Sequence, residues 1–154
     1  GHRLETFGVS TCTALLVTYP ERFAYMAHIS ARDRVYGGRE TDLLGQILKK
    51  VEAFDIYQSE RRHVIFVIVA PHLDGLPGIV DTLIDNGVLL SQVRVLCNPT
   101  ARTAALTYDY GDDDLRVMWE EEGGAEAGCH GMEDAVNLGG LVETVMRSEG
   151  AAPP

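Results

Sequence analysis

The sequence predicts an α/β (α+β) domain in which a mixed β-sheet core is layered with helices. Three observations carry this reading. Two short apolar runs, Thr13-Ala14-Leu15-Leu16-Val17-Thr18-Tyr19 and Phe23-Ala24-Tyr25-Met26-Ala27, flank the turn residues Pro20-Glu21-Arg22 in the pattern of an antiparallel hairpin. The stretch 63–70 is a nearly continuous β-branched run, as expected of a central strand covered on both faces. Elsewhere apolar residues recur at helical spacing, first at Leu43, Leu44, Ile47, Leu48, Val51 and Phe54, and again at Leu76, Ile79, Val80, Leu83 and Ile84.

Taken in order, the chain opens on a small Gly/Ser/Thr turn over residues 6–12, and Cys12 begins the first strand of the hairpin. His28 ends the second strand. A polar loop over 30–40 follows directly, carrying Arg32, Asp33, Arg34 and Arg39, and it reads equally as a specificity loop or a solvated connector. Thr41-Asp42 offers an N-cap and a first-turn acid to the first helix. The second helix is expected to stop at Asn86-Gly87 through a left-handed cap. Val93-Arg94-Val95-Leu96-Cys97 reads as a short strand ended by Asn98-Pro99. Residues 103–108 and 115–120 form a further hairpin around the acidic loop 109–114. The acidic, Gly-rich stretch 121–131 reads as a loop, and 132–147 as a last helix interrupted by Gly139-Gly140.

Composition sets the class. The chain has 154 residues, enough for one domain with its own core, here taken as 3–149. Gly1-His2 reads as a tag remnant and 150–154 as a tail. With 23 acidic and 13 basic residues the net charge is -10, which disfavours nucleic acid and anionic membrane as partners. No apolar stretch reaches the roughly 20 residues of a membrane span, and no signal-peptide pattern opens the sequence. Three cysteines without regular spacing do not form a disulfide framework. The expectation is a reducing compartment: the cytoplasm or, for a bacterial effector, a host cytosol. Oligomeric state is left open.

The hairpin brings Cys12 and His28 to one end of the sheet. A thiol becomes a nucleophile when a base or cation favours its thiolate, and an imidazole within hydrogen-bond reach supplies one. The ordinary role of a cysteine is a small buried residue, and that alternative is open for Cys12. Cys97, closing an apolar strand, reads as core. Cys129-His130 lies among glycines, and with His72 it lacks the spacing of a metal site, so no metal is assigned. Asp112-Asp113-Asp114 lacks the alternating oxygen ligands of a calcium loop and reads as a solvated turn. Gly37-Gly38 is not followed by the Lys-Ser/Thr of a phosphate loop.

The pattern T-x-G-x-x-x-C, formed by Thr6, Gly8 and Cys12, is followed by strand, turn, strand and Met26-Ala27-His28. It resembles the chemoreceptor glutamine deamidase (CheD) family, which shares its Cys-His arrangement and a similar core with the cytotoxic necrotising factor toxins and the bacterial lethal-factor deamidases. The resemblance covers about the first thirty residues. It implies a catalytic Cys12 and His28 completed by Thr6, whose hydroxyl would hold the second ring nitrogen of the histidine. Backbone and side-chain groups of Ser10, Thr11 and Ser30 are the expected oxyanion and substrate contacts. The implied activity is hydrolysis of a protein glutamine to glutamate and ammonia through a thioester, with no cofactor, on a protein substrate. An amine in place of water would make the same site a transglutaminase, which the sequence leaves open. After His28 this chain has Ile29-Ser30-Ala31-Arg32-Asp33-Arg34 where the family has a short apolar segment and Pro. That departure motivates one alternative, a non-catalytic binding or regulatory module gripping a partner through Arg32, Arg39 and Tyr110; another, a small-molecule amidase or thioesterase, shares the chemistry.

Overall fold

A computed structural model describes residues 3–19, 22–29, 43–53, 60–72, 76–121 and 126–131, and among these are two β-sheets and two α-helices. The strands are β1 (Arg3–Val9), β2 (Thr13–Tyr19), β3 (Phe23–Ile29), β4 (Ile65–Ala70), β5 (Val93–Cys97), β6 (Ala101–Asp109), β7 (Asp114–Glu121) and β8 (Glu126–Gly131). The helices are α1 (Leu43–Ala53) and α2 (Leu76–Asp85). One sheet has the order β3-β2-β4-β5, the other β1-β6-β7-β8. The fold is therefore mixed α+β, as the sequence predicts, with two sheets in place of one.

The division into layers follows from side-chain alternation. In β2, Leu15 and Val17 point to the helices, where they join Phe66, Ile68, Val93 and Val95 against Ile47, Ile79, Val80 and Leu83. Ala14 and Leu16 point the other way and pack with Val67, Val69 and Leu96 against Val9, Ala104, Leu106, Tyr108, Val117 and Trp119 of the second sheet. A strand covered on both faces favours apolar side chains, and β2 and β4 are buried along nearly their whole length. Both lie in the middle of their sheet. β4 pairs antiparallel with β2 and parallel with β5, so α2 serves as the crossover a parallel pair requires.

Most boundaries hold within a residue or two. Gly87 has φ of 89°, and its N–H and that of Val88 bond back to Ile84 and Leu83, closing α2 through the expected left-handed cap. The central strand starts at Ile65; before it, Arg61–His63 forms a single 3₁₀ turn. Two expectations are corrected. Residues 3–9 are a strand, because their backbone pairs with β6 from Arg3↔Asp109 to Val9↔Ala104. Residues 126–131, read as loop, are strand β8, since pairing with β7 satisfies the backbone despite the glycines. The 30–40 loop, the Thr41-Asp42 cap and the 132–147 helix lie outside the described residues. Among the described residues, no helix is long and apolar enough to cross a membrane.

Candidate active site

Strands β1 and β3 are edge strands of different sheets, and they lie against each other along one side of the sandwich. The candidate site sits where they meet. In β3, Ala24 and Met26 pack into the core between the sheets, so His28, two residues further, lies on the same face. It is half-buried. Across the gap, Thr6 Oγ1 of β1 lies 3.0 Å from His28 Nδ1, a hydrogen bond linking residues 22 apart in sequence and joining the two sheets. Either atom can donate in such a pair, and the ring tautomer decides.

A backbone irregularity aims Thr6 at the histidine. Thr6 pairs with Leu106 and Val9 with Ala104, so three steps on β1 match two on β6. The extra residue is a β-bulge, and Gly8 within it has φ of 65°. Without the bulge, alternation would turn one of Thr6 and Val9 outward. With it, Val9 is buried between the sheets while Thr6 meets the imidazole. The glycine of T-x-G-x-x-x-C thus has a structural cause: only glycine takes a positive φ at no steric cost. Phe7, between them, points outward and is 64% exposed.

Cys12 lies in the bend immediately before β2 and is half-buried. Ala14 is the cross-strand partner of His28, so Cys12 stands one diagonal step from the histidine. Diagonal neighbours across a strand pair are about 7–8 Å apart at the backbone, within reach of ring and long side chains. Among the described residues, no hydrogen bond joins Cys12 Sγ to the imidazole; the bond His28 makes is with Thr6. Ser10, half-buried, and Thr11, exposed, occupy the same bend as Cys12. Ser30 lies outside the described residues. Of the six expected site residues, Thr6, Ser10, Thr11, Cys12 and His28 therefore gather at one end of the β1–β3 edge. Sequence reasoning treated Gly8 as a motif letter and missed its part in aiming Thr6; the Gly flanked by outward Phe7 and inward Val9 is the bulge signal.

The remaining candidates sort differently. Cys97 ends β5 partly exposed and donates to the Pro71 carbonyl oxygen at 3.3 Å. Asp113 accepts the Tyr108 hydroxyl at 2.7 Å, and Asp109 Oδ1 accepts the N–H groups of Gly111 and Asp112, so the acidic cluster is a hydrogen-bonded turn. Cys129 and His130 lie on β8 opposite Met118 and Val117. No group of three or more His, Cys, Asp or Glu side chains converges as a metal site among the described residues. The chain matches no protein-family model and no curated protein.

Proposed function

We propose that the chain is a cysteine-dependent hydrolase acting on a side-chain carboxamide, most specifically a protein-glutamine deamidase of the CheD and cytotoxic necrotising factor type. The observation that supports it is the Thr6–His28 hydrogen bond beside Cys12, because a histidine base works best when its other ring nitrogen is held. With Nδ1–H donating to Thr6, the Nε2 lone pair is free to take the Cys12 proton. The thiolate adds to the glutamine carbonyl carbon, and backbone N–H groups of the Ser10–Cys12 bend hold the oxyanion. One such donor typically lowers the barrier by about 3 kcal/mol. His28, now imidazolium, gives its proton to the amide nitrogen, and ammonia leaves as the C–N bond breaks. Water then adds to the thioester, losing a proton to the same imidazole. Collapse releases glutamate and regenerates the thiol. An amine in place of water would make the step a transamidation. Metal and organic cofactors have no part in this sequence, and the substrate is a protein. The site lies on an edge of the sandwich, which suits a docked side chain. The compartment that fits a free thiol is a reducing one.

The sequence after His28 favours a second reading, a binding module that keeps the scaffold without the chemistry. One experiment separates them. Incubation with cell lysate and peptide mass spectrometry should reveal one-dalton Gln-to-Glu shifts with release of ammonia. Cys12→Ser and His28→Ala should each lower the rate by about a thousandfold or more. Equal activity in either variant sinks the enzyme reading.

A further inference from the structure

At the end of the β3-β2-β4-β5 sheet remote from Cys12, a cavity of about 360 Å³ opens between α1, the turn Arg61–His63 and the loop after α2. Cys12 lies by the Val69 end of β4, whereas the cavity is lined by Val64 and Phe66 at its start, roughly 15 Å away along the strand. Its volume is that of a small-molecule site. The walls are apolar: Leu48 and Val51 of α1, Val64, Phe66 and Val88, with Leu89 56% exposed at the mouth.

The walls are also held in place. Gln92, 4% exposed, donates from Nε2 to the carbonyl oxygens of Arg61 at 2.7 Å and Val64 at 2.9 Å. Its Oε1 accepts the Leu89 N–H at 2.8 Å. One buried amide therefore ties the Leu89 loop to the Arg61 turn, and Gly87, with φ of 89°, lets the chain leave α2 sharply enough to reach it. Such a framework resists collapse into the space.

Charge identifies the occupant. Arg61 and Arg62 both line the cavity, and neither guanidinium has an ion-pair partner among the described residues. Among the described residues, Glu52 is the single acid lining it. In a chain of net charge -10, two arginines against one acid give the described lining of this cavity a positive balance. We infer that this cavity binds a small amphipathic carboxylate, its hydrocarbon body among Leu48, Val51 and Phe66 and its carboxylate on Arg61 and Arg62. The inference is independent of the chemistry proposed at Cys12.

Sodium octanoate is the probe, with 1-octanol and inorganic phosphate as comparators, titrated by calorimetry into the full chain. Octanoate should bind saturably, and phosphate should not displace it. The double variant R61Q/R62Q should weaken octanoate by about tenfold or more while octanol binds unchanged. Leu89→Asp alters an exposed position, so it keeps the fold and should weaken octanoate more than octanol. Cys12→Ser should leave octanoate binding unchanged. Absence of saturable octanoate binding, equal affinity in wild type and the arginine variant, or displacement by phosphate alone would each overturn the assignment.

Discussion

At the scale of single residues, the account rests on what Thr6 does to His28. A neutral hydroxyl holds an imidazole less firmly than a carboxylate does, so its loss should slow the reaction without ending it. Thr6→Val should lower kcat about tenfold, the rate equivalent of roughly 1.4 kcal/mol and close to the net worth of one hydrogen bond. Steady-state kinetics should show KM little changed, and Thr6→Ser should restore the rate. A drop in thermal stability with kcat intact would instead make the 3.0 Å bond a clasp between sheets and nothing more. The positions of Cys12 and His28 were legible in the sequence because a hairpin has few registers, and Ala14↔His28 is the one its turn dictates. Ser30 and the arginines after it belong to a stretch with no periodic pattern, so nothing in the sequence specifies their arrangement.

At the scale of elements, the bulge in β1 is the least replaceable feature. Gly8→Ala places a Cβ on a backbone with φ of 65°, where space is open but the conformation costs about 1–2 kcal/mol. A lowered melting temperature is the expected outcome, with a fall in kcat beyond it if the bulge relaxes and Thr6 swings from His28. The same feature explains why β1 was harder to read than β2. Continuous apolar runs announce buried strands, and β2, β4 and β5 were visible for that reason. β1 is an edge strand with Arg3 and Glu5 outward, and its bulge breaks the alternation at Phe7-Gly8, so its pattern resembles a turn. β8 was hidden differently. Its partner strand supplies the hydrogen bonds, while its Gly-rich composition carries no strand signal of its own. That the hairpin β6–β7 joins β1 in a second sheet is a non-local choice, which no local pattern encodes.

At the scale of the whole molecule, the two sheets are joined at the end away from the candidate site by a polar chain that runs from the interior to the surface. Tyr108, fully buried, has its hydroxyl 2.9 Å from Thr18 Oγ1 of the other sheet and donates to Asp113 at 2.7 Å. Burial foremost, with the Asp113 carboxylate adding to it, pushes the Tyr108 phenol well above its ordinary value of about 10. The folded state therefore keeps this proton where the unfolded chain loses it. Its contribution is complete below about pH 10 and is lost as pH rises beyond, by up to about 1.4 kcal/mol per unit. Tyr108→Phe should cost about 1–3 kcal/mol at neutral pH and flatten the alkaline decline, as urea unfolding at pH 7 to 11 would show. The sheets so joined leave the β1–β3 edge as the place of the proposed chemistry. The most direct test of that chemistry is the rate at which iodoacetamide alkylates Cys12 at pH 7, followed by peptide mapping to separate it from Cys97 and Cys129. The account predicts alkylation at least about tenfold faster in the wild type than in His28→Ala; equal rates in the two proteins would contradict it.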